Sequence, residues 1–201
     1  MSLKARNSFP NPNQVIWNDS VKDQFEELIK QYAQLEYHTL GKPAVGFPRP
    51  SYDEMYMSIA QIVALRSTCL RGKIGAVITK DTRIVSIGYN GAPAKLAQCD
   101  QHGCIKDTER GGCIRTIHAE QNAIAYAARV GIPLEGSTLY VTMSPCIDCA
   151  KLIIATGIKK VIYHEAYRKG YAIDYLKVSG IELIHLKSGL KEIYQKYYLA
   201  D

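Results

Sequence analysis

Two short stretches hold the residue types that do chemistry. In "RTIHAEQNAIAYAARV", residues 115–130, a histidine and a carboxylate, His118 and Glu120, open a segment whose apolar residues keep helical spacing. Residues i and i+2 of a helix point in different directions, so the two are not a surface ion pair of the i,i+4 kind. Both can still reach one object placed just off the N-terminal end. That end offers unpaired N–H groups and a partial positive charge, which favour an anion such as a metal-bound hydroxide. Further ligands stand in "SPCIDC", residues 144–149, where Cys146 and Cys149 share one helical face behind Pro145, a residue that favours a helix start. Thiols at such an end ionise more easily, as zinc ligands must. His118, Cys146 and Cys149 then form a three-ligand set for tetrahedral Zn²⁺, leaving a fourth position for water. Water so held has a pKa of about 7, which makes hydroxide available at neutral pH, with Glu120 beside it as proton carrier.

These side chains act together only if the fold gathers them. Residues 1–17, rich in Asn and Pro, read as an arm without regular structure. A helix is expected in "NDSVKDQFEELIKQYAQLEY", where Val21, Phe25, Leu28, Ile29, Tyr32 and Leu35 keep helical spacing and Ser20 with Asp23 resembles a capping box. "GKPAVGFPRP" ends it as a linker, and residues 1–50 form an extension of open role ahead of a domain over 51–201. "SYDEMYMSIAQIVALRS" begins a helix at the capping-box pattern Ser51 to Glu54, with Met55, Ile59, Ile62 and Val63 on one side. Two strands, "KIGAVIT" and "RIVSIGYN", meet at a turn at Asp81 and predict a hairpin. From Gly91 to Thr116 the chain is irregular, and a loop of that length needs something to hold it. Beyond the His118 helix come the strand "STLYVTM", the helix "CIDCAKLIIATG", the strand "KKVIYHE", a helix near 171–178, the strand "IELIHL" and a closing helix. The alternation implies an α/β sandwich with parallel strands in its second half.

Composition sets the outer bounds. With 201 residues, 47% hydrophobic and 22% charged, the chain has room for one domain with a full core. "MSLKARNSFPNPNQ" has no apolar leader segment, and no stretch approaches the roughly 20 apolar residues that span a bilayer, so a cytoplasmic location and no membrane partner are expected. A net charge of +6 suits a phosphorylated substrate, a nucleic acid or an acidic partner, but the Lys and Arg residues are spread along the chain. Six cysteines in a chain expected in a reducing compartment read as metal ligands or core residues rather than disulfides.

The joint pattern H-A-E followed by P-C-x-x-C, each opening a helix, is the signature of zinc nucleobase deaminases. In that chemistry hydroxide attacks the ring carbon bearing the amine, and the glutamate carries its proton to the ring nitrogen and on to departing ammonia. "TCLRGKIGAVI", "GYNGAP", "RTIHAEQNAI" and "VTMSPCIDCAKLI", in this order over about residues 51–186, resemble the deoxycytidylate (dCMP) deaminases of bacteria and tailed phages. The resemblance implies a cytidine-deaminase-like three-layer α/β/α sandwich with a five-stranded mixed sheet. It also implies conversion of dCMP to dUMP, a homohexamer, activation by dCTP with Mg²⁺ and inhibition by dTTP. By the same resemblance Asn90 meets the deoxyribose, and the backbone around Ala119 and Ser144 holds the base. An amide at a strand end offers both donor and acceptor, although Asn-Gly is also a common hairpin signal. Candidates for the 5′-phosphate are Arg71 and either Tyr167 or Arg168. Lys73, Gly91 and Lys95, near "GYNGAP", are the candidates for the effector triphosphate.

Cys69, Cys99, Cys104 and Cys113 remain, with His102 among them. A second, closed zinc site would hold the irregular loop, and the related phage enzymes have one in which Cys69 and Cys99 match. Those enzymes use a carboxylate two residues before the zinc-binding histidine, where this chain has Thr116, so Cys104 and Cys113 complete the set, with His102 an alternative to Cys104. The nearest rivals act on other substrates by the same chemistry: dCTP, cytidine, guanine or tRNA adenosine. No basic stripe with interleaved aromatics favours RNA, and no nucleic-acid partner is expected. A rival of another class is a non-catalytic zinc module, against which the intact Glu120 argues.

Overall fold

The computed structural model describes residues 49–109, 111–167 and 171–198, together with Glu27, which is helical. The expected arm over 1–17 and, Glu27 apart, the helix behind it lie outside the described residues, as does Arg168.

Helix α1, Tyr52–Ala64, begins where the capping box places it. Glu54 N donates to Ser51 Oγ at 3.2 Å and Ser51 N to Glu54 Oε2 at 2.8 Å, satisfying two end donors reciprocally. Its buried face is only half the expected one: Tyr56, Met57, Ala60 and Ala64 face inward with Ile59 and Val63 half-buried against the same cluster, while Met55 and Ile62 are 37% and 51% exposed. The reason is steric. A Cβ at Gly75 in the facing strand would stand 2.0 Å from Ala60 O and 2.6 Å from Ala64 N, so the helix lies against the sheet by its smallest residues rather than its most apolar stripe.

Strands β1, Gly75–Lys80, and β2, Arg83–Tyr89, form the expected hairpin. Asp81 and Thr82 both take positive φ, 49° and 59°, as a two-residue type I′ turn requires. β1 also pairs antiparallel with β3, Thr138–Met143, and β4, Lys160–Glu165, and β5, Glu182–His185, extend the sheet in parallel. The sheet order is β2-β1-β3-β4-β5.

Between β2 and β3 stand the four-residue helix α2, Cys99–His102, and α3, Ala119–Val130. Helix α4, Ile147–Ala155, links β3 to β4, α5, Tyr171–Val178, links β4 to β5, and α6, Leu190–Tyr198, closes the chain. One face of the sheet buries Ile78, Leu139, Val141 and Val161 with Ala123 and Ala127 of α3, Ile153 of α4 and Leu176 of α5. Across the sheet Val77, Tyr140 and Ile162 pack on Tyr56, Met57 and Ala60 of α1. Lys196 of α6 reaches Glu54 of α1 at 3.3 Å. The result is the three-layer α/β/α sandwich, each fully buried Ile or Leu of which contributes about 1.5–3 kcal/mol. No helix among the described residues is long and apolar enough to cross a membrane.

Candidate metal centre and active site

Both ligand-bearing segments are helix starts. His118 is the N-cap of α3, extended at φ −78° and ψ 159°, and Cys146 is the N-cap of α4, at φ −76° and ψ 172°. An N-cap lies outside the helical turn, so its side chain projects beyond the helix end. The His118 N–H donates to Gln121 Oε1 at 2.9 Å, which fixes the backbone from which the imidazole hangs. Cys146 Sγ and Cys149 Sγ each lie 3.4 Å from His118 Nδ1, and the three donor atoms fall within 4.8 Å of one another. Zinc bonds of about 2.3 Å to sulfur and about 2.0 Å to nitrogen, opened to a tetrahedral angle, would separate such donors by about 3.5 Å, so the set fits zinc.

The three groups are electrostatically coupled. A hydrogen bond from the Cys149 thiol holds the Cys146 sulfur down at about 3, and His118 adds to this against the cost of burial. The same bond and burial push Cys149 up. His118 is raised, first by its hydrogen bond with Cys146. Glu120 is 4% exposed, and burial pushes its carboxyl up to about 6. A carboxyl poised near neutrality suits a group that must both take and give a proton.

A cavity of about 860 Å³ is lined by His118, Glu120 and Cys146, by Asn90, Ala119 and Ser144, and by Arg71 and Tyr167. Asn90 is less free than its position in the sequence implies. Its Oδ1 accepts from Ile74 N at 2.8 Å and Ser67 Oγ at 2.6 Å, and its Nδ2 donates to Gly72 O at 2.9 Å, leaving one amide N–H for a ligand. Ser144 N donates to Glu165 O at 2.8 Å, and its Oγ accepts from Tyr167 N at 2.7 Å. Arg71 Nη1 donates to Gly111 O at 2.9 Å.

The effector candidates are not brought to one place. Lys73 lines a second cavity of about 420 Å³, with Gln61, Thr142, His164 and Glu165, whereas Gly91 and Lys95 line neither. Gly91 is buried and bridges to Ile117, and Lys95 takes a turn at φ 72°.

Of the second cysteine group, Cys99, Cys104 and Cys113 gather within 4.8 Å, with the Cys99 and Cys113 sulfurs 3.7 Å apart. Cys69 and His102 are outside that group: Cys69 is buried and lines the main cavity, and His102 is exposed. Burial raises Cys99 and works upward on Cys113 too, but backbone N–H bonds from Arg115 and Ile105 and the Thr116 hydroxyl outweigh it, leaving Cys113 at about 7. All six cysteines are free thiols. Sequence reasoning missed Ser67, the buried partner of Asn90, and Gln121, although a Gln three residues after an N-cap is a readable capping signal.

Residues 50–165 match the sequence model of the cytidine and deoxycytidylate deaminase zinc-binding region. The chain belongs to that family. ComE operon protein 2 of Bacillus subtilis (strain 168) is 42% identical over 66% of this chain and 70% of its own. A deoxycytidylate deaminase of Enterobacteria phage T2 is 37% identical over 65% of this chain and 89% of its own. The crystal structure of the dCMP deaminase of cyanophage S-TIM5 in complex with dCMP and dUMP superposes with a TM-score of 0.61 at 35% identity, covering 69% of this chain and 98% of that one. The five-stranded mixed sheet is thus the cytidine-deaminase-like fold.

Proposed function

We propose that the protein hydrolyses dCMP to dUMP and ammonia. The observation that carries this reading is the buried carboxyl of Glu120 beside an imidazole and two thiols at zinc-ligand spacing, with Glu120, His118 and Cys146 lining one cavity. The choice of dCMP draws on the relatives named deoxycytidylate deaminase and on the similar S-TIM5 enzyme seen with dCMP and dUMP.

Zinc, which His118, Cys146 and Cys149 would hold, would supply a Lewis acid that makes water nucleophilic near pH 7. Glu120 takes a proton from the attacking water and delivers it to N3 of the cytosine ring. The water oxygen ends on C4, the C4–N4 bond breaks, and Glu120 passes the second proton to the departing amine. Ammonia leaves and the carbonyl of dUMP remains. The backbone at Ala119 and Ser144 holds the base, and the free N–H of Asn90 donates to a sugar oxygen. Arg71, with Tyr167 or Arg168, receives the 5′-phosphate.

The finer reading extends to regulation and assembly. Residues 51–201 are the deaminase domain of a cytoplasmic homohexamer, activated by dCTP with Mg²⁺ and inhibited by dTTP. A second zinc is held by Cys69, Cys99, Cys104 and Cys113, with His102 an alternative to Cys104. Supporting it, two sulfurs on one tetrahedral zinc stand about 3.8 Å apart, close to the 3.7 Å between Cys99 and Cys113.

Ammonia release from dCMP, dCTP, cytidine and adenosine tests the reading directly. The expected result is turnover of dCMP well above cytidine and adenosine, sigmoidal in dCMP and hyperbolic once dCTP and Mg²⁺ are added. Turnover of adenosine or cytidine with none of dCMP would overturn the substrate assignment. Hyperbolic kinetics indifferent to both triphosphates would remove the regulatory part alone.

A further inference from the structure

Residues 104–109 and 111–116 run back along each other as a finger. Lys106 pairs with Cys113 in an antiparallel bridge, and Ile114 N donates to Ile105 O at 3.0 Å. At the tip, Asp107 N donates to Gly112 O and Gly111 N to Asp107 O, both at 2.9 Å. The base of the finger is gathered to α2 by the thiols of Cys99, Cys104 and Cys113. Its inner side, with Asp107, Gly111, Gly112, Cys113 and Ile114, lines the same cavity as Glu120, so the finger is one wall of the catalytic site.

The described residues at the tip are mostly at the surface. Thr108, Glu109 and Gly111 are exposed, and side chains at Gly111 and Gly112 would meet nothing within 4 Å. Segments of that kind open locally at low cost unless something fastens them. One fastener among the described residues is Arg71, whose guanidinium bonds the Gly111 carbonyl. Its own footing is firm, because the Asn90 amide bonds Gly72 O at 2.9 Å and Ile74 N at 2.8 Å, stapling the Arg71 loop to the end of β2.

We infer that Arg71 is a positioning residue that latches the finger tip across the cavity and so sets how tightly the wall closes on substrate. The latch is made by protein atoms alone and spends one of five guanidinium donors, so the others stay available to an anion. Its kinetic arm rests on the dCMP reading and its structural arm does not.

Hydrogen exchange and steady-state kinetics on the full chain, wild type against Arg71→Met, decide it. The Asp107 and Gly111 amides should exchange about three- to tenfold faster in the variant, the factor that one ordinary hydrogen bond contributes to local opening. Peptides from β1 and β3 should be unchanged. KM for dCMP should rise by a similar factor, with the effect on kcat much smaller. Raised KM with unchanged exchange would make Arg71 a phosphate contact and nothing more. Faster exchange with unchanged KM would show that the finger does not shape the substrate site. A wild-type protein that releases no ammonia from dCMP would remove the functional reading, and the exchange comparison would still decide the latch.

Discussion

Replacing Gly88 by Ala perturbs the active site without touching any residue in it. Gly88 lies in β2 where α3 crosses the sheet, and a Cβ there would stand 2.3 Å from Ala119 O and 2.6 Å from Ala123 N. Both are backbone atoms near the start of α3 and cannot swing aside. A Gly to Ala change in a strand otherwise stabilises by roughly 0.5–1 kcal/mol, so the sign depends on this contact. Restoring van der Waals separation moves the start of α3 by about 1 Å, and overpacking of that kind costs about 1–3 kcal/mol. For a chain of this size, each kcal/mol lowers Tm by about 2–4 °C. Catalysis should suffer more, because α3 carries Glu120 and starts from His118, and a misplacement of about 1 Å costs about 10²-fold.

A matched control lies on the other face of the sheet. Gly75→Ala drives a Cβ to 2.0 Å from Ala60 O of α1, a helix that carries none of the zinc ligands. It should lower Tm at least as much while leaving kcat/KM of the folded protein within about threefold of wild type. Thermal unfolding followed by circular dichroism, with ammonia release from dCMP by protein of known zinc content, separates the two variants. A Gly88→Ala protein that melts and turns over like wild type would show that the close approach of α3 to β2 does not set the positions of His118 and Glu120.

Glu120→Gln should keep its zinc and lose about 10²- to 10⁴-fold in kcat, since it removes the proton carrier and leaves every ligand; activity within threefold of wild type would refute the mechanism. His118→Ala should lose activity and also metal, read as one fewer zinc per chain by elemental analysis. Fully active protein should contain two zinc ions per chain, and Cys113→Ser should lower Tm more than Cys149→Ser; one zinc per chain in fully active protein would refute the second site.

The candidate ligand cluster was legible because its residues are close in sequence: H-A-E and P-C-x-x-C each sit on one helix start, and local spacing sets their geometry. The hairpin was legible for the same reason, its turn being two residues long. The inward face of α1 was only half legible. Ile59 and Val63 of the apolar stripe do pack, but Met55 and Ile62 do not, because Gly75 in another element, whose missing Cβ admits Ala60 and Ala64, turns the helix toward its small residues. Asn90 shows the same limit at the site. Its Asn-Gly context indicated a strand end, but only the fold reveals that Ser67 and Ile74 occupy its oxygen. Long-range partners are invisible to periodicity.

The topology explains how two ligand groups far apart in sequence come to face each other. β1 runs antiparallel to both β2 and β3, so β2 and β3 point the same way, and β4 follows β3 in parallel. Their C-terminal ends open on one edge of the sheet: Asn90 follows β2, Ser144 to Cys146 follow β3, and Tyr167 lies just past β4. Crevices at such ends are where open α/β sheets bind ligands. His118 reaches this edge by a different route. After β2 the chain leaves on its long irregular excursion, and it returns to where it left: Gly91 N donates to Ile117 O at 3.3 Å and Ile117 N to Gly91 O at 3.0 Å. That two-bond clasp sets the residue before His118 against the end of β2 and leaves His118 to cap α3. The gathering of His118 with Cys146 and Cys149 therefore depends on closing a loop that contributes no residue to the cluster. What lies between the clasped ends, the cysteine cluster and the finger, is free to form the wall of the cavity.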